Sequence, residues 1–324
     1  MVEIDIGPNM FSTGEFVLSW HGFFSFVAVA TAVYLVGRWA TFRGVLADDI
    51  YTIAVWGIIG GVMGARLVHV IDQWGDFYQH NPTAIIEIWR GGIGLWGGLL
   101  GGSVGAFIST VIMNHFRTDR RAQIERRISQ AKNEDQREAL EEELGRNQHL
   151  PVGAIADLTA PALLFVQTIG RLGDIINGEH CAKTADFFLG FIWTHPGSAA
   201  GGCENGVGIS VQPVIAYEMV WNMLALFVIW KLRGKLKPDG MLFALYLALY
   251  SVGRFAVTFA REDKIWSLGM QEAQYIAILV LLITVPLMVI RARRMSPEEA
   301  AAGPGPVPQG RGTRAQRRRR GRRR

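Results

Sequence analysis

The chain has 324 residues, half of them hydrophobic and only 19% charged, against about 25% charge in a typical soluble domain. The apolar residues fall into long blocks separated by charged punctuation, which excludes both an ordinary water-soluble globule and a disordered chain. The net charge of +5 arises at one end: residues 291–324 hold 12 of the 33 Lys and Arg and 2 of the 28 acids, so the rest of the chain stands at −5, which argues against nucleic acid as a partner.

The first ten residues carry acids and no basic cluster, so no cleavable leader is expected. A membrane-crossing helix needs roughly 20 mostly apolar residues. Seven blocks qualify, at about 15–38, 50–71, 94–114, 152–176, 213–232, 240–260 and 270–290. The fold class predicted is therefore an all-α polytopic membrane protein with seven transmembrane helices and a small head outside the membrane. One set of alternate connections carries Arg38 and Arg43, then Arg117, Arg120 and Arg121, then Lys231, Arg233, Lys235 and Lys237, then Arg291, Arg293 and Arg294. The other set carries Asp72 and Asp76, then Glu204, then Glu262 and Asp263. Positive charge stays in the cytoplasm, which predicts an outside N-terminus and a cytoplasmic C-terminus.

The organisation expected is a seven-span domain over 1–291 and a basic cytoplasmic tail over 292–324. The tail is Pro/Gly-rich and then Arg-rich, so disorder and attraction to anionic membrane lipid are expected. Between the third and fourth spans, segment 116–149 is polar. Residues 117–146 hold 8 basic and 8 acidic side chains, with Ile124 and Ile128, then Leu140 and Leu144, at helical spacing. It reads as one or two solvated helices without a catalytic role. The outside loop, 177–212, contains Cys181 and Cys203. An oxidising compartment permits a disulfide between them, and two unrelated loop cysteines are the alternative. Neither cysteine has metal-ligand spacing.

Glycines four apart stripe the third span (Gly94, Gly98 and Gly102; Gly97, Gly101 and Gly105) and the second (Gly60 and Gly64). Small residues at this spacing let helices approach closely in lipid, and packing is the reading for most of them.

Charges inside spans say more, because they are costly in lipid and face a protein interior or a wet cavity. Arg66 lies in the second span, Asp157, Arg171 and Asp174 in the fourth, Glu218 in the fifth, and Arg254 and Arg261 in the sixth. The topology puts Arg171 and Arg254 in the outer half of the bilayer on separate helices. An embedded anion would offset their cost, and a lipid phosphate suits the planar guanidinium fork. The competing reading pairs Arg171 with Asp157 or Asp174, and Arg254 with Glu218. Tyr250, Arg254, Thr258 and Arg261 are spaced to share one helix face. The segment Gly170-Arg171-Leu172-Gly173-Asp174-Ile175-Ile176-Asn177-Gly178-Glu179-His180 is unusually polar for a membrane boundary.

That segment resembles the G-R-x-G-N-F-I-N-x-E pattern of the bacterial prolipoprotein diacylglyceryl transferases. The resemblance extends over most of residues 10–291. It includes Trp20-His21-Gly22, Gly64-Ala65-Arg66, Asn81-Pro82 through Trp89-Arg90-Gly91-Gly92, Asp157 ahead of Ala160-Pro161, Gln212-Pro213 ahead of Tyr217-Glu218, Tyr250 with Gly253-Arg254-Phe255, Arg261-Glu262-Asp263 and Gln274.

The resemblance implies transfer of the diacylglyceryl group of phosphatidylglycerol to the lipobox cysteine thiol of a prolipoprotein. A thioether forms and glycerol phosphate leaves. It also implies a multi-pass protein of the bacterial cytoplasmic membrane, a site toward the outer leaflet, and no metal or other cofactor. By the same resemblance Arg171 and Arg254 hold the phosphate and Tyr250 donates a hydrogen bond to it. Arg66 and Arg261 organise the headgroup region, and Asp174, Asn177 and Glu179 shape the pocket lip.

The chain departs from the family pattern at several positions. Trp96 stands where many members carry a His favoured as base, His21 where many carry Tyr, Asp174 for Asn, Ala182 for Gly and Thr258 for Glu. The base role then passes to His21 or His180, or no protein base is used and nearby cations promote thiolate formation. Two other classes compete: a degenerate homologue that binds lipid or lipoprotein without chemistry, and an anion transporter. Transport would need a polar path to the cytoplasmic side, whereas the inner halves of the spans are apolar, as at Ala225-Leu226-Phe227-Val228-Ile229.

Overall fold

A computed structural model describes residues 1–13, 16–87 and 95–296. Among the described residues eight α-helices follow one another: α1 (Trp20–Ala40), α2 (Ala47–Asp72), α3 (Leu95–Ser129), α4 (Glu134–Arg146), α5 (Val152–Asn177), α6 (Val214–Leu232), α7 (Met241–Thr258) and α8 (Glu272–Arg291). Seven of these, all but α4, are long and apolar enough to cross a membrane. The described residues fall into two compact units, one made of residues 1–35 and 153–296 and the other of residues 36–152.

Two boundaries differ from expectation. The first helix begins at Trp20 rather than near residue 15, because Phe16–Ser19 is a strand, β3, paired antiparallel with β2 (Asn9–Thr13). The third helix does not stop where its apolar block ends. It runs unbroken to Ser129, so the first half of the polar insert is an extension of the span. No Gly or Pro occurs from Ala106 to Leu144 to end it sooner. The helix α4 is then capped at its start by Asn133, whose side chain accepts the Gln136 N–H at 2.8 Å. Ile124 and Leu140 are buried, and Arg120 reaches Glu143 at 3.1 Å. The basic tail from residue 297 and the Arg90-Gly91-Gly92 stretch lie outside the described residues.

In the first unit, β1 (Val2–Ile4) runs parallel to β4 (Phe191–Trp193), joining the N-terminal segment to the loop that follows α5. Ile4, Ala182, Trp193, Val211, Val214 and Val257 lie in one buried cluster. A second cluster, including Ala160, Leu164, Ala225, Ile229, Leu242 and Tyr246, packs α5, α6 and α7 together. Asp157 is not an arginine partner. Its two carboxylate oxygens accept the backbone N–H groups of Gly240 and Phe243, each at 2.9 Å, and so cap the start of α7. Cys181 and Cys203 are joined as a disulfide.

In the second unit α2 and α3 pack backbone to backbone. A Cβ at Gly60 would lie 2.4 Å from the Gly101 carbonyl oxygen, and one at Gly97 would lie 2.0 Å from the Gly64 carbonyl oxygen. Only hydrogen fits there, which accounts for the glycine stripes. The insert is tied back by Arg117, which donates to the Gln148 carbonyl at 2.6 Å and pairs with Asp49.

The helix packing and the disulfide each carry predictions about stability. Gly101→Val should cost at least about 1–3 kcal/mol by overpacking, read as a lower melting temperature in detergent. Gly75→Ala should be silent, because nothing lies within 4 Å of its Cβ position. Replacing both cysteines by serine opens a loop of sequence separation 22 and should cost about 3 kcal/mol. Chemical denaturation of the two forms would measure it.

Candidate active site

The starts of α1, α6 and α8 and the ends of α5 and α7 meet at one end of the first unit. Close approach of α1 to α5 requires Gly173, where a Cβ would lie 2.7 Å from the His21 Cα. This sets His21 against the next residue, with its Nδ1 2.7 Å from Asp174 Oδ1 and 3.4 Å from Glu179 Oε2. The other oxygen of Asp174 accepts from Arg171 Nη1 at 2.6 Å, across an i,i+3 step of α5. Asp174 is buried, whereas the His21 side chain is 44% exposed.

Arg171 and Arg254 converge from two helices on one carboxylate. Arg171 Nη2 donates to Glu218 Oε2, and Arg254 Nη1 donates to Glu218 Oε1. The pairs of the competing reading form, Arg171 with Asp174 and Arg254 with Glu218 but not Arg171 with Asp157, and Arg171 in addition shares Glu218 with Arg254. Arg261 comes third, its Nη1 4.0 Å from Glu218 Oε1. That nitrogen is buried and has no hydrogen-bond partner among the described residues. Nor do the described residues give a hydrogen bond to Arg171 Nε, or to Nε and Nη2 of Arg254. A guanidinium offers five N–H donors, so an anion brought here meets unused donors from three arginines.

Arg261 is not on the sixth span, as its spacing suggested. The helix α7 ends at Thr258, and Arg261 lies in the following segment, bridged to Ala182. The neighbouring Glu262 N–H bonds to the Cys181 carbonyl at 3.0 Å, and Asp263 holds the Arg261 guanidinium at 2.7 and 3.1 Å. The same bridge brings Arg261 to His180, which has a left-handed backbone (φ 78) just after Gly178 (φ 72). His180 Nε2 lies 2.8 Å from Arg171 Nη1 and its Nδ1 lies 3.0 Å from Arg261 Nη2. Both ring nitrogens therefore face guanidinium groups, and Nε2 also lies 3.4 Å from Asp174 Oδ2.

Asn177 Nδ2 donates to Glu179 Oε1 at 3.1 Å. Loop donors satisfy the last carbonyls of α5, Trp193 Nε1 to Ile175 at 2.7 Å and Ser198 Oγ to Asn177 at 3.1 Å. Tyr250, one turn before Arg254, stacks near Tyr246 at 6.2 Å. Thr258 is fully buried and bonds the Arg254 carbonyl at 2.5 Å.

Arg66 belongs to the second unit. It donates to the carbonyls of Ala84, Ile85 and Glu87 and lies over the Tyr78 ring at 5.3 Å, fastening the loop after α2. The Trp96 side chain lies outside the described residues. Glu218, assigned from sequence only as a possible ion-pair partner, is the centre of the cluster. Its signal was present: an acid early in an apolar span, opposite arginines on its neighbours. Ligating atoms of His21, Asp174 and Glu179 lie within 4.8 Å of one another, which is metal-ligand spacing. The short His21–Asp174 contact already satisfies two of those three groups.

Seven apolar helices define a polytopic membrane protein, and in its first unit three arginines gather at the helix ends around one carboxylate. The sequence profile of the family described as "Prolipoprotein diacylglyceryl transferase" matches residues 8–120 and 144–290. The chain belongs to that family. Relatives named phosphatidylglycerol–prolipoprotein diacylglyceryl transferase include those of Dehalococcoides mccartyi, 29% identical over 91% of this chain and 98% of the relative, and Lactobacillus delbrueckii subsp. bulgaricus, 29% identical over 92% and 95%. That of Acaryochloris marina is 27% identical over 84% and 86%. Most of the charged insert, residues 121–143, falls between the two matched stretches.

Glu218→Gln leaves the surrounding guanidinium groups without their shared counter-charge. Breaking a buried pair from one side costs about 3–5 kcal/mol, so this variant should unfold at markedly lower temperature than wild type in the same detergent.

Proposed function

We propose that this chain transfers the diacylglyceryl group of phosphatidylglycerol to the cysteine thiol of prolipoprotein precursors, with its site toward the outer leaflet of a bacterial cytoplasmic membrane. The observation that carries the reading is the convergence of Arg171 and Arg254, from α5 and α7, on Glu218.

The residues suit this chemistry. The thiol sulfur attacks the glyceryl carbon that bears the phosphate oxygen. The S–C bond forms, the C–O bond breaks, and its electron pair leaves on glycerol phosphate. Charge builds on the departing oxygen, and preorganised cationic donors stabilise it. Arg171 and Arg254 supply those donors through nitrogens not spent on Glu218, and Tyr250 adds a hydroxyl. Glu218 fixes the spacing of the two forks. Arg261 and His180 back the cluster, while Asn177 and Glu179 form its lip. His180 has a guanidinium at each ring nitrogen and acts here as a spacer between Arg171 and Arg261, not as the base.

Two features support the orientation with α5 ending outside. The basic connections lie at the other helix ends, and the disulfide lies in the loop that follows α5, where an oxidising compartment would keep it.

The test is transfer from phosphatidylglycerol in mixed micelles to a lipobox-type cysteine peptide, read by mass spectrometry as a diacylglyceryl thioether. Arg171→Lys and Arg254→Lys keep the charge but lose the planar fork, and each should lower the rate about 10²–10³-fold. Wild-type protein that forms no thioether, or two variants with unchanged rates, would overturn the reading.

A further inference from the structure

We infer that His21 is the base that takes the proton from the substrate thiol, and that Asp174 is the positioning residue that sets its tautomer and couples it to the phosphate-holding Arg171. The inference rests on the transferase reading above and assigns two roles within the same site.

Three observations carry it. First, both carboxylates beside His21 approach the same ring nitrogen, Asp174 at 2.7 Å and Glu179 at 3.4 Å from Nδ1. An ionised carboxylate only accepts, so Nδ1 carries the hydrogen and Nε2 carries the lone pair. Second, Nε2 makes no hydrogen bond with the described residues, and the side chain is 44% exposed at the end of the unit where the arginines gather. Third, the other histidine of the cluster has no such nitrogen, because Nδ1 faces Arg261 and Nε2 is occupied by Arg171 and by Asp174 Oδ2 at 3.4 Å. Among the described residues of this cluster, His21 is the imidazole with an open acceptor.

The role of Asp174 follows from its two oxygens. One holds His21 Nδ1–H, and the other holds Arg171 Nη1 at 2.6 Å. Burial of Asp174 and the close approach at Gly173 fix both contacts. The base and one arm of the phosphate clamp are thus separated by a single carboxylate. In the step itself the S–H proton moves to His21 Nε2, and the resulting imidazolium is balanced by Asp174. The sulfur electron pair then forms the S–C bond while the C–O electron pair leaves on the phosphate. No oxidant, reductant or further reactant is needed. The free thiol has a pKa of about 8.5 and is mostly protonated at neutral pH, so removing this proton is the part of the reaction that the arginines do not perform.

The experiment compares two acceptor peptides that differ in one atom, a cysteine peptide and its selenocysteine counterpart. The selenol is already ionised at neutral pH and needs no base. Full-length protein is assayed with both peptides and phosphatidylglycerol in mixed micelles. His21→Ala should lower transfer to cysteine about 10²-fold or more and leave transfer to selenocysteine within a few-fold of wild type. His21→Gln retains an amide N–H for Asp174 but no proton acceptor, and should behave the same way, which separates the base role from misfolding. Asp174→Asn cannot accept from His21 and Arg171 together, and should raise the ratio of selenocysteine to cysteine rates above that of wild type. Arg171→Lys should lower both rates alike. If both histidine variants lower the two rates equally, or lower neither, the inference is wrong while the transferase reading stands. If wild type transfers to neither peptide, that reading fails as well.

Discussion

A single carboxylate organises one end of the first unit. Glu218 stands early in α6, largely excluded from solvent, and receives guanidinium groups from α5 and α7. Each of these charges alone would be expensive inside a bilayer. Together they offset one another, and because each is anchored to a different helix, the pairing fixes how three helix ends stand relative to each other. The same pairing leaves other nitrogens of the guanidinium groups uncommitted. Structural pairing and ligand binding are therefore compatible here, since a planar fork has more donors than one carboxylate can use.

The small head outside the helices serves that end of the molecule. The disulfide closes the loop after α5, and the Cys181 carbonyl accepts from Glu262. Ala182 bridges Arg261, and Gln271, at the start of α8, donates to the Arg261 carbonyl at 3.1 Å. Arg261 is thus held by backbone from two sides, and its guanidinium is aimed at His180 and Glu218. The parallel pairing of β1 with β4 anchors the chain ahead of α1 to the same loop. These contacts explain how a loop with little regular structure delivers side chains to fixed positions at the helix ends.

Much of this was legible in the sequence because lipid imposes simple rules. Twenty apolar residues in a row have few fates besides spanning, so seven helices followed from hydropathy alone. Charges in those spans stood out because they are costly there, which marked Arg171, Asp174, Glu218 and Arg254. Other features were not legible because they depend on what the chain meets in three dimensions. A pattern of four, four and three put Arg261 on a helix, but the helix ended a turn earlier and a bridge to Ala182 took over. Asp157 looked like an arginine partner from its place on α5, yet it caps α7, a partner 83 residues away. The long extension of α3 was hidden by a change from apolar to charged residues, which alters the surroundings of a helix without stopping it. The close approach of His21 to Gly173 had no local signal, since a glycine reads the same in sequence whether it touches another backbone or nothing.

The mixture of acids and arginines bears on turnover as well as on placement. In the proposed reaction one phosphate ester enters as a diester with one negative charge and leaves as a monoester carrying more. Three unopposed guanidinium groups would hold the more highly charged product in preference to the substrate, and release would be slow. Asp174, Glu218 and Asp263 each touch an arginine of the cluster. On the proposed reaction they leave the donors in place to meet charge as it develops but remove the surplus field that would retain the product. Binding that favours the transition state over both ground states is what accelerates a step, and an arginine cluster nearly neutralised by its own acids meets that requirement better than a more positive one.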